Sequence, residues 1–518
     1  EQVGDSTGFN YARRSLTLED VEGVEEILDI FSFNDFHGTV DKSASGSNPG
    51  ADRFVAIVQT LMSENPNSVL LSAGDNYQGS PLSNLNLGGP VSDMIDYLGV
   101  EYGVPGNHEF DWGADLLPTF AEDGGLTFLA ANIVDTETGE YPEYIEPYTV
   151  IEIGSKKVAF IGIANPGTPS LVKAENVEGL EFLEPGDWTN ELIDELKEDN
   201  DLVIAFTHLD SYQDEEGVVT GSAATLAETC PGFDAIISGH SHRVVAGYVN
   251  DIPVVQGNYN GRGLARLTVV YSGDGFEIYP KAYVQNDMNT NAILPSTPLV
   301  VNADVKANIA EYNEAIGPLF AETAGVYGED IDSREKQADW ATRLVFDYIE
   351  RIEGEPYVLI QNNGGWRDTS PYDKKADDEV TMGYLYTLMP FDNEIVLLEM
   401  RGKDLIYMLD LGVDGGGAQT EPATVVSAQC VAGAYKEDDT WFLESGDEID
   451  PEDVYKVACN DFMLTGGDRY PFPGSSWGDA AGVEVIGESS FMGVPLRDAM
   501  VDQLIYRLEN AEEVDGAA

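Results

Sequence analysis

The chain has 518 residues, 42% of them apolar, which is enough for two or more domains with sizeable cores. It carries 93 Asp+Glu against 27 Lys+Arg, a formal net charge of −66 at pH 7. Such a field disfavours nucleic-acid polymers and anionic membranes as partners. It also repels itself, which implies a chain adapted to molar salt, where the Debye length is about 3 Å.

In chain order, Ile27–Phe33 reads as a strand, Asp52–Ser63 as a helix with apolar residues at helical spacing, and Val69–Ala73 as a second strand. Val91–Leu98 is the next helix, followed by strands at Leu126–Ala130 and Val158–Ile163, a helix at Trp188–Lys197, and strands at Leu202–Thr207 and Ala235–Ser238. Strands alternating with helices predict a layered α/β domain. The β-rich stretch Pro253–Tyr271, with a turn at Asn258–Gly261, closes this domain, which is expected to span residues 1–300. A linker over residues 301–329 carries a helix at Asn302–Phe320. A second α/β domain is expected over residues 330–518, with strands at Tyr357–Ile360, Ile395–Leu398 and Tyr455–Ala458 and helices at Trp340–Ile352 and Lys403–Leu411. The acidic tail ending in Asp515-Gly516-Ala517-Ala518 is expected to fray.

Three cysteines, Cys230, Cys430 and Cys459, are too few for a disulfide framework and are expected as small buried residues, with a Cys430–Cys459 pairing left open. No run of about 18 apolar residues exists, so no membrane span is expected. The sequence starts at Glu1 without an apolar leader, and the expectation is a processed, exported chain.

The chain has five histidines, His37, His108, His208, His240 and His242, each in a loop-like motif at or just past the end of an apolar run. Ile30–Phe33 runs into Asn34-Asp35-Phe36-His37-Gly38, and Val69–Ala73 into Gly74-Asp75-Asn76. Tyr102–Pro105 runs into Gly106-Asn107-His108-Glu109-Phe110-Asp111, Leu202–Phe206 into Thr207-His208, and Ala235–Ser238 into Gly239-His240-Ser241-His242. Five strand ends thus bring Asp, Asn and His to one edge of a sheet, where α/β sheets place their ligands. Oxygen and imidazole donors without thiolate suit zinc, manganese or iron. The donors Asp35, His37, Asp75, Asn107, His208, His240 and His242 are too many for one tetrahedral ion. They fit two divalent ions about 3.5–4 Å apart that share a bridging carboxylate, the constellation of a metal-dependent hydrolase.

The second domain gives a thinner signal. Asn362-Asn363-Gly364-Gly365-Trp366-Arg367 follows a strand and carries an arginine suited to a carboxylate or phosphate. Pro390-Phe391-Asp392-Asn393 and Asn460-Asp461-Phe462, the latter leading to Gly466-Gly467-Asp468, put aromatics on two separate loops. Such a pair can sandwich a flat base, although core packing is the ordinary fate of Phe.

The motifs Asp35-Phe36-His37, Gly74-Asp75, Gly106-Asn107-His108-Glu109, Thr207-His208 and Gly239-His240-Ser241-His242 closely resemble those of the calcineurin-like metallophosphoesterases. Together with the second domain they resemble the two-domain 5'-nucleotidase family, which includes periplasmic UDP-sugar hydrolases and ecto-5'-nucleotidases, over about Glu26 to Tyr506. The resemblance implies a four-layer α/β/β/α metallophosphoesterase domain, a linker helix and a C-terminal α/β nucleotide-binding domain. It implies one zinc or manganese ion on Asp35, His37, Asp75 and His242, and another on Asp75, Asn107, His208 and His240. It further implies that His108 contacts the scissile phosphate while paired with Asp111. Phe391 and Phe462 then stack on the base, Asp468 binds the ribose, and Asn362, Gly365, Arg367 and Asn393 make further substrate contacts. A second family arginine is matched by Arg343, with Arg334 as a rival, and Trp366 replaces a usual aliphatic residue. Nucleotides are the implied substrates, and hinge rotation about the linker helix is implied from relatives. Sequence leaves the oligomeric state open.

Overall fold

The computed structural model describes residues 23–42, 48–273, 275–284, 301–355, 357–367, 369, 371–413, 429–473 and 482–510. The acidic tail at Asp515–Ala518 lies outside them. The chain divides into two compact units: residues 1–169 with 175–315, and residues 170–174 with 316–518.

Two sheets form the first unit. One runs in the order Gly275–Tyr283, Leu264–Ser272, Val24–Phe33, Ser68–Ser72, Tyr102–Gly103, Thr127–Leu129, Ile145–Glu146. The other runs Val244–Val249, Ile252–Gly257, Ala235–Ile237, Leu202–Thr207, Lys156–Ile163, Tyr148–Ile153. The central strands of each are parallel. Side chains alternate across a strand, and here both faces are covered. Leu28 and Ile30 of the first sheet pack with Phe160, Ile204 and Phe206 of the second. Phe33 turns the other way and meets Phe54 of helix Ala51–Met62 edge-on at 5.6 Å. Ile161 and Ala205 of the second sheet pack outward on Ile193 of helix Asp187–Lys197 and Leu226 of helix Ser222–Thr229. The layers are helix, sheet, sheet, helix. Burial on both faces is why runs such as Leu202–Phe206 read as continuously apolar rather than alternating.

One sequence expectation is corrected here. The strand ends bearing the candidate ligands do not share one sheet: those before Asp35, Asp75 and His108 belong to the first, those before His208 and His240 to the second. An apolar run reports burial but not which sheet it joins. The β-rich stretch Pro253–Tyr271 supplies strands to both sheets. Ile252–Gly257 lies in the second sheet and Leu264–Ser272 in the first, so the turn at Asn258–Gly261 carries the chain from one sheet to the other.

The predicted interdomain helix spans Ala303–Phe320. Asn308 Nδ2 and Tyr312 Oη both donate to Asp93 of helix Gly89–Leu98, at 2.7 and 2.9 Å, which fixes its first half to the first unit. The division between units falls inside this helix, after Ala315.

The second unit is built on a five-stranded sheet in the order Gln429–Ala432, Val358–Asn362, Val454–Asn460, Glu394–Arg401, Val485–Pro495. Leu359 and Leu397 face Leu344 of helix Arg334–Glu353 and Met500 of helix Leu496–Glu509. Val358 and Val396 face Leu405 and Met408 of helix Gly402–Val413. Cys430 lies in the first of these cores and Cys459 in the other, on opposite faces of the sheet. That geometry closes the pairing left open by their sequence separation, and all three cysteines are free and buried. No helix among the described residues is long and apolar enough to cross a membrane.

Candidate active site

The candidate ligands stand just past the ends of parallel strands, on backbone few L-residues adopt. Asp35, His37, Asp75, His240 and His242 all have positive φ, between 49° and 67°. Non-glycine residues held there cost roughly 1–3 kcal/mol each and persist where surrounding structure over-determines them. Two glycines make room for this crowding. A Cβ on Gly74 would lie 2.8 Å from His208 Nδ1, and one on Gly106 would lie 2.2 Å from Asp75 Oδ1.

Three groups of donor atoms result, the atoms of each within 4.8 Å of one another: Asp35, His37 and His242; Asp75, His208 and His240; and His37, Asp75 and His108. The first two are separate poles, and the third links them by bringing His37 of the one to Asp75 of the other. His37 Nε2 and His242 Nε2 converge to 2.9 Å. His37 Nδ1 faces Gln78 O at 3.1 Å, and His208 Nδ1 faces Ala73 O at 2.6 Å. A carbonyl oxygen only accepts. In each neutral ring Nδ1 therefore carries the hydrogen and Nε2 keeps its lone pair toward the cluster.

The charge state of the cluster follows from its burial. Burial, then the neighbouring His242 and His108, hold His37 well below the ordinary imidazole range. Burial, then His208, bring His240 down to about 4. Both rings are neutral near pH 7, as ligands must be. Burial opposes ionisation of Asp75, but His208 and His108 outweigh it and hold this carboxyl well below the carboxylate range. Burial likewise disfavours charge on His208, yet Asp75 outweighs it and raises this imidazole, so a cation entering here competes with a proton.

The residues fit divalent cations on their own geometry. Asp35 Oδ1, Asn107 Oδ1 and His208 Nε2 are buried with no hydrogen-bond partner among the described residues. His208 Nε2 lies 3.0 Å from Asp75 Oδ2 without completing a hydrogen bond. Buried polar atoms left unsatisfied cost about 1–3 kcal/mol each. Here they come from separate loops of the two poles, and divalent cations at those poles would satisfy them. Beside the cluster, His108 Nδ1 is 2.6 Å from Asp111 Oδ2, and the His108 ring centre lies 5.1 Å from that of His37.

Sequence reasoning missed the residues that brace the ligands. Glu109 is fully buried and accepts three backbone N–H groups, from Asp75 at 2.7 Å and from Asn76 and Gly106 at 2.6 Å. It ties the Asp75 loop to the Asn107 loop. Burial, then the Asp75 charge, push this carboxyl up to about 7. Asn34 donates to Asp35 Oδ2 and accepts from Gly257 N, which leaves Oδ1 of Asp35 for the cluster. Ser241, between two candidate ligands, donates its one hydroxyl hydrogen to Ser211 O at 2.6 Å, with Gln256 Oε1 a second acceptor within reach at 3.0 Å. A glutamine at the end of the apolar run before Gly257 was the available signal.

In the second unit, Asn362 Nδ2 donates to Asp468 Oδ2 at 2.8 Å, and Asn460 Nδ2 donates to Asn362 Oδ1 at 2.9 Å. The Arg367 guanidinium lies over the Phe391 ring at 4.7 Å. Glu394 N donates to Asp461 Oδ1 at 3.1 Å, which joins the Phe391–Asn393 loop to the Asp461–Phe462 turn. Phe391 and Phe462 are both partly buried, and Phe462 packs against Gly467, next to Asp468. Gly365 packs so closely on Gln361 that a Cβ would lie 2.6 Å from Nε2. Asn362, Gly365, Arg367, Phe391, Asn393, Phe462 and Asp468 thus line loops at one end of the sheet. Arg343 is engaged elsewhere, in an exposed ion pair with Glu444, and Arg334 is exposed at the start of its helix. Trp366 is buried in the core, its Nε1 donating to Thr342 Oγ1 at 3.1 Å.

With this geometry in place, comparison with known proteins identifies the two parts. Residues 28–244 match the calcineurin-like phosphoesterases, and residues 319–474 match the 5'-nucleotidase C-terminal domain. The chain belongs to the family in which these two domains follow one another, the two-domain 5'-nucleotidases. It is 27% identical over 481 residues to Endonuclease YhcR of Bacillus subtilis, an alignment covering 85% of this chain and 37% of that protein. It is 24% identical over 489 residues to the 5'-nucleotidase of Vibrio vulnificus, covering 86% of each. Its fold matches the 5'-nucleotidase precursor of Thermus thermophilus with a TM-score of 0.72 at 21% identity, covering 93% of this chain and 96% of that one. The chain thus spans little more than a third of the length of YhcR.

Proposed function

We propose that this chain is an exported, salt-adapted 5'-nucleotidase that hydrolyses nucleoside 5'-monophosphates to nucleoside and phosphate, with ATP, ADP and UDP-sugars as further substrates. The observation that carries this reading is the two donor poles, Asp35 with His37 and His242 and Asp75 with His208 and His240, joined by the contact of His37 with Asp75 beside the His108–Asp111 pair. Asp35, His37, Asp75 and His242 would hold one divalent cation, and Asp75, Asn107, His208 and His240 another. Their oxygen and imidazole donors suit zinc or manganese. When bound, such ions neutralise phosphoryl oxygens and supply the Lewis acidity that makes water nucleophilic near neutral pH.

The chain's own residues do the rest by positioning and electrostatics, which dominate phosphoryl transfer. His108 Nδ1–H donates to Asp111 Oδ2, which fixes the ring and leaves Nε2 to meet the phosphoryl group or deliver a proton to the departing nucleoside oxygen. In the second unit Phe391 and Phe462 take the base, each stacked face worth about 1–3 kcal/mol by analogy with nucleic-acid sites. Asp468 takes the ribose hydroxyls, and Arg367, Asn362 and Asn393 supply polar contacts.

A panel of 5'-AMP, 3'-AMP, 2',3'-cyclic AMP and UDP-glucose, run with added zinc or manganese, tests the assignment. The expected result is fastest turnover of 5'-AMP. Negligible 5'-AMP turnover beside fast cyclic turnover makes the protein a 2',3'-cyclic-nucleotide 2'-phosphodiesterase/3'-nucleotidase. Tight binding without turnover makes it a nucleotide-scavenging protein.

Salt adaptation has its own test. With a net charge of −66, folding and activity are expected to rise toward molar salt and fall in dilute buffer. Thermal unfolding followed by circular dichroism from about 0.1 M to about 3 M salt reads this directly, the Debye length falling from about 10 Å at the lower end to less than about 3 Å. A Tm already at its maximum in the dilute sample defeats the salt assignment and leaves the chemistry untouched.

A further inference from the structure

The imidazoles of the cluster are not held alike. His37 and His208 are anchored through Nδ1 to backbone carbonyls, and their side chains are 9% and 0% exposed. The His242 side chain is 37% exposed, and no hydrogen bond reaches its Nδ1 among the described residues. Its ring instead lies flat on Tyr259, with centroids 4.7 Å apart and planes 13° apart. Tyr259 is in turn held by Arg262. Its guanidinium carbon is 4.4 Å from the ring centre, its Nη1 donates to Tyr259 Oη at 2.6 Å, and its Nε donates to Asn48 Oδ1 at 2.7 Å.

Tyr259 and Arg262 sit where the chain passes between the two sheets. That turn is fixed to the first pole: Asn260 N donates to Asp35 O at 2.7 Å, and Asn34 Nδ2 donates to Asn258 O. The turn contains three residues at positive φ, Asn258, Asn260 and Gly261, which confines it to one path. The stack Arg262–Tyr259–His242 is therefore attached at one end to the same Asp35 segment whose carboxylate His242 faces at 3.4 Å.

We propose that Tyr259 and Arg262 are positioning residues that orient His242 toward the cation of the Asp35, His37, His242 pole. Here an aromatic stack does what a carbonyl does for His37 and His208. The ring face of Tyr259 fixes the plane of the imidazole and so aims Nε2, and Arg262 fixes the plane of Tyr259. A stacked ring restrains tilt yet lets the imidazole slide within its plane, so this pole holds its cation less rigidly than the Asp75, His208, His240 pole. The inference rests on the two-cation reading given above.

Manganese(II) binding to the full chain, followed by the electron paramagnetic resonance signal of the free ion, tests it without using turnover. The wild type is expected to titrate two ions; failure to bind two ions sinks the two-cation reading itself. In Tyr259→Leu, one of the two affinities is expected to fall by about 10- to 100-fold, the usual effect of losing a group that orients a ligand, while the other stays put. Tyr259→Phe keeps the ring and is expected to bind both ions as the wild type does. Arg262→Gln is expected to weaken the same single ion by less than Tyr259→Leu. The proposal is overturned if both affinities in Tyr259→Leu stay at wild-type values or fall together, or if Tyr259→Phe loses as much as Tyr259→Leu. Should Tyr259→Leu fold poorly, judged by the far-ultraviolet circular dichroism of the metal-free chains, the Phe and Gln variants decide alone. A single weakened ion in Arg262→Gln beside unchanged binding in Tyr259→Phe supports the assignment, and any other pattern overturns it.

Discussion

Asp75→Asn is expected to abolish binding at both poles and turnover with it. Asp75 is buried, belongs to one pole and contacts His37 of the other, and is held ionised by the imidazoles around it. Asparagine has the same shape and can still accept from His108 N, the 2.8 Å bond that Asp75 Oδ1 now takes. The substitution therefore removes charge and leaves the local fold in place. On the two-cation proposal the ions would supply several kcal/mol of charge stabilisation, and each ~1.4 kcal/mol is tenfold in rate, so 5'-AMP hydrolysis should drop by about a thousandfold or more. Elemental analysis after dialysis should find the bound metal reduced in parallel. Two ions retained, with turnover within about tenfold of wild type, would show that Asp75 does not bridge.

His108→Ala separates the proposed proton-handling group from the proposed ligands. The His108 side chain is 16% exposed, borders the cluster, and pairs with Asp111. Losing a positioned acid–base group costs about 10²- to 10⁴-fold. The expected outcome is a fall in kcat of that size with two ions still bound, because neither pole depends on His108. Asp111→Asn should fall between wild type and His108→Ala, since the imidazole remains but loses the carboxylate that orients it. A His108→Ala enzyme with unchanged kcat removes the residue from the chemistry. One that loses its metal makes it a ligand instead.

The N-terminal cluster was legible because its donors follow apolar runs directly. Thr207 ends a strand and His208 follows at once, and Ser72 ends another three residues before Asp75. Two helices were equally readable: the one read at Asn302–Phe320 is Ala303–Phe320, and the one read at Trp188–Lys197 is Asp187–Lys197. The helix read at Trp340–Ile352 begins six residues earlier, at Arg334, because Ser333 caps it through a bond from Lys336 N that no apolar pattern announces. Long-range partners were not legible. Glu109 looks like a surface glutamate until three backbone N–H groups from two loops converge on it. Tyr259 looks like a turn residue until the chain's passage between sheets lays it on His242. Arg343, matched only by resemblance, proves to be paired with Glu444, because a helical position alone does not say which neighbour a long side chain meets.

The left-handed backbone at Asp35, His37, Asp75, His240 and His242 sets retention of the site against durability of the fold. Glycine would relax each of these positions, and each such exchange would erase a ligand. A duplicated copy of this gene freed from any demand for chemistry should therefore drift toward a sturdier, inert descendant, with glycines accumulating at these five codons ahead of the surrounding core.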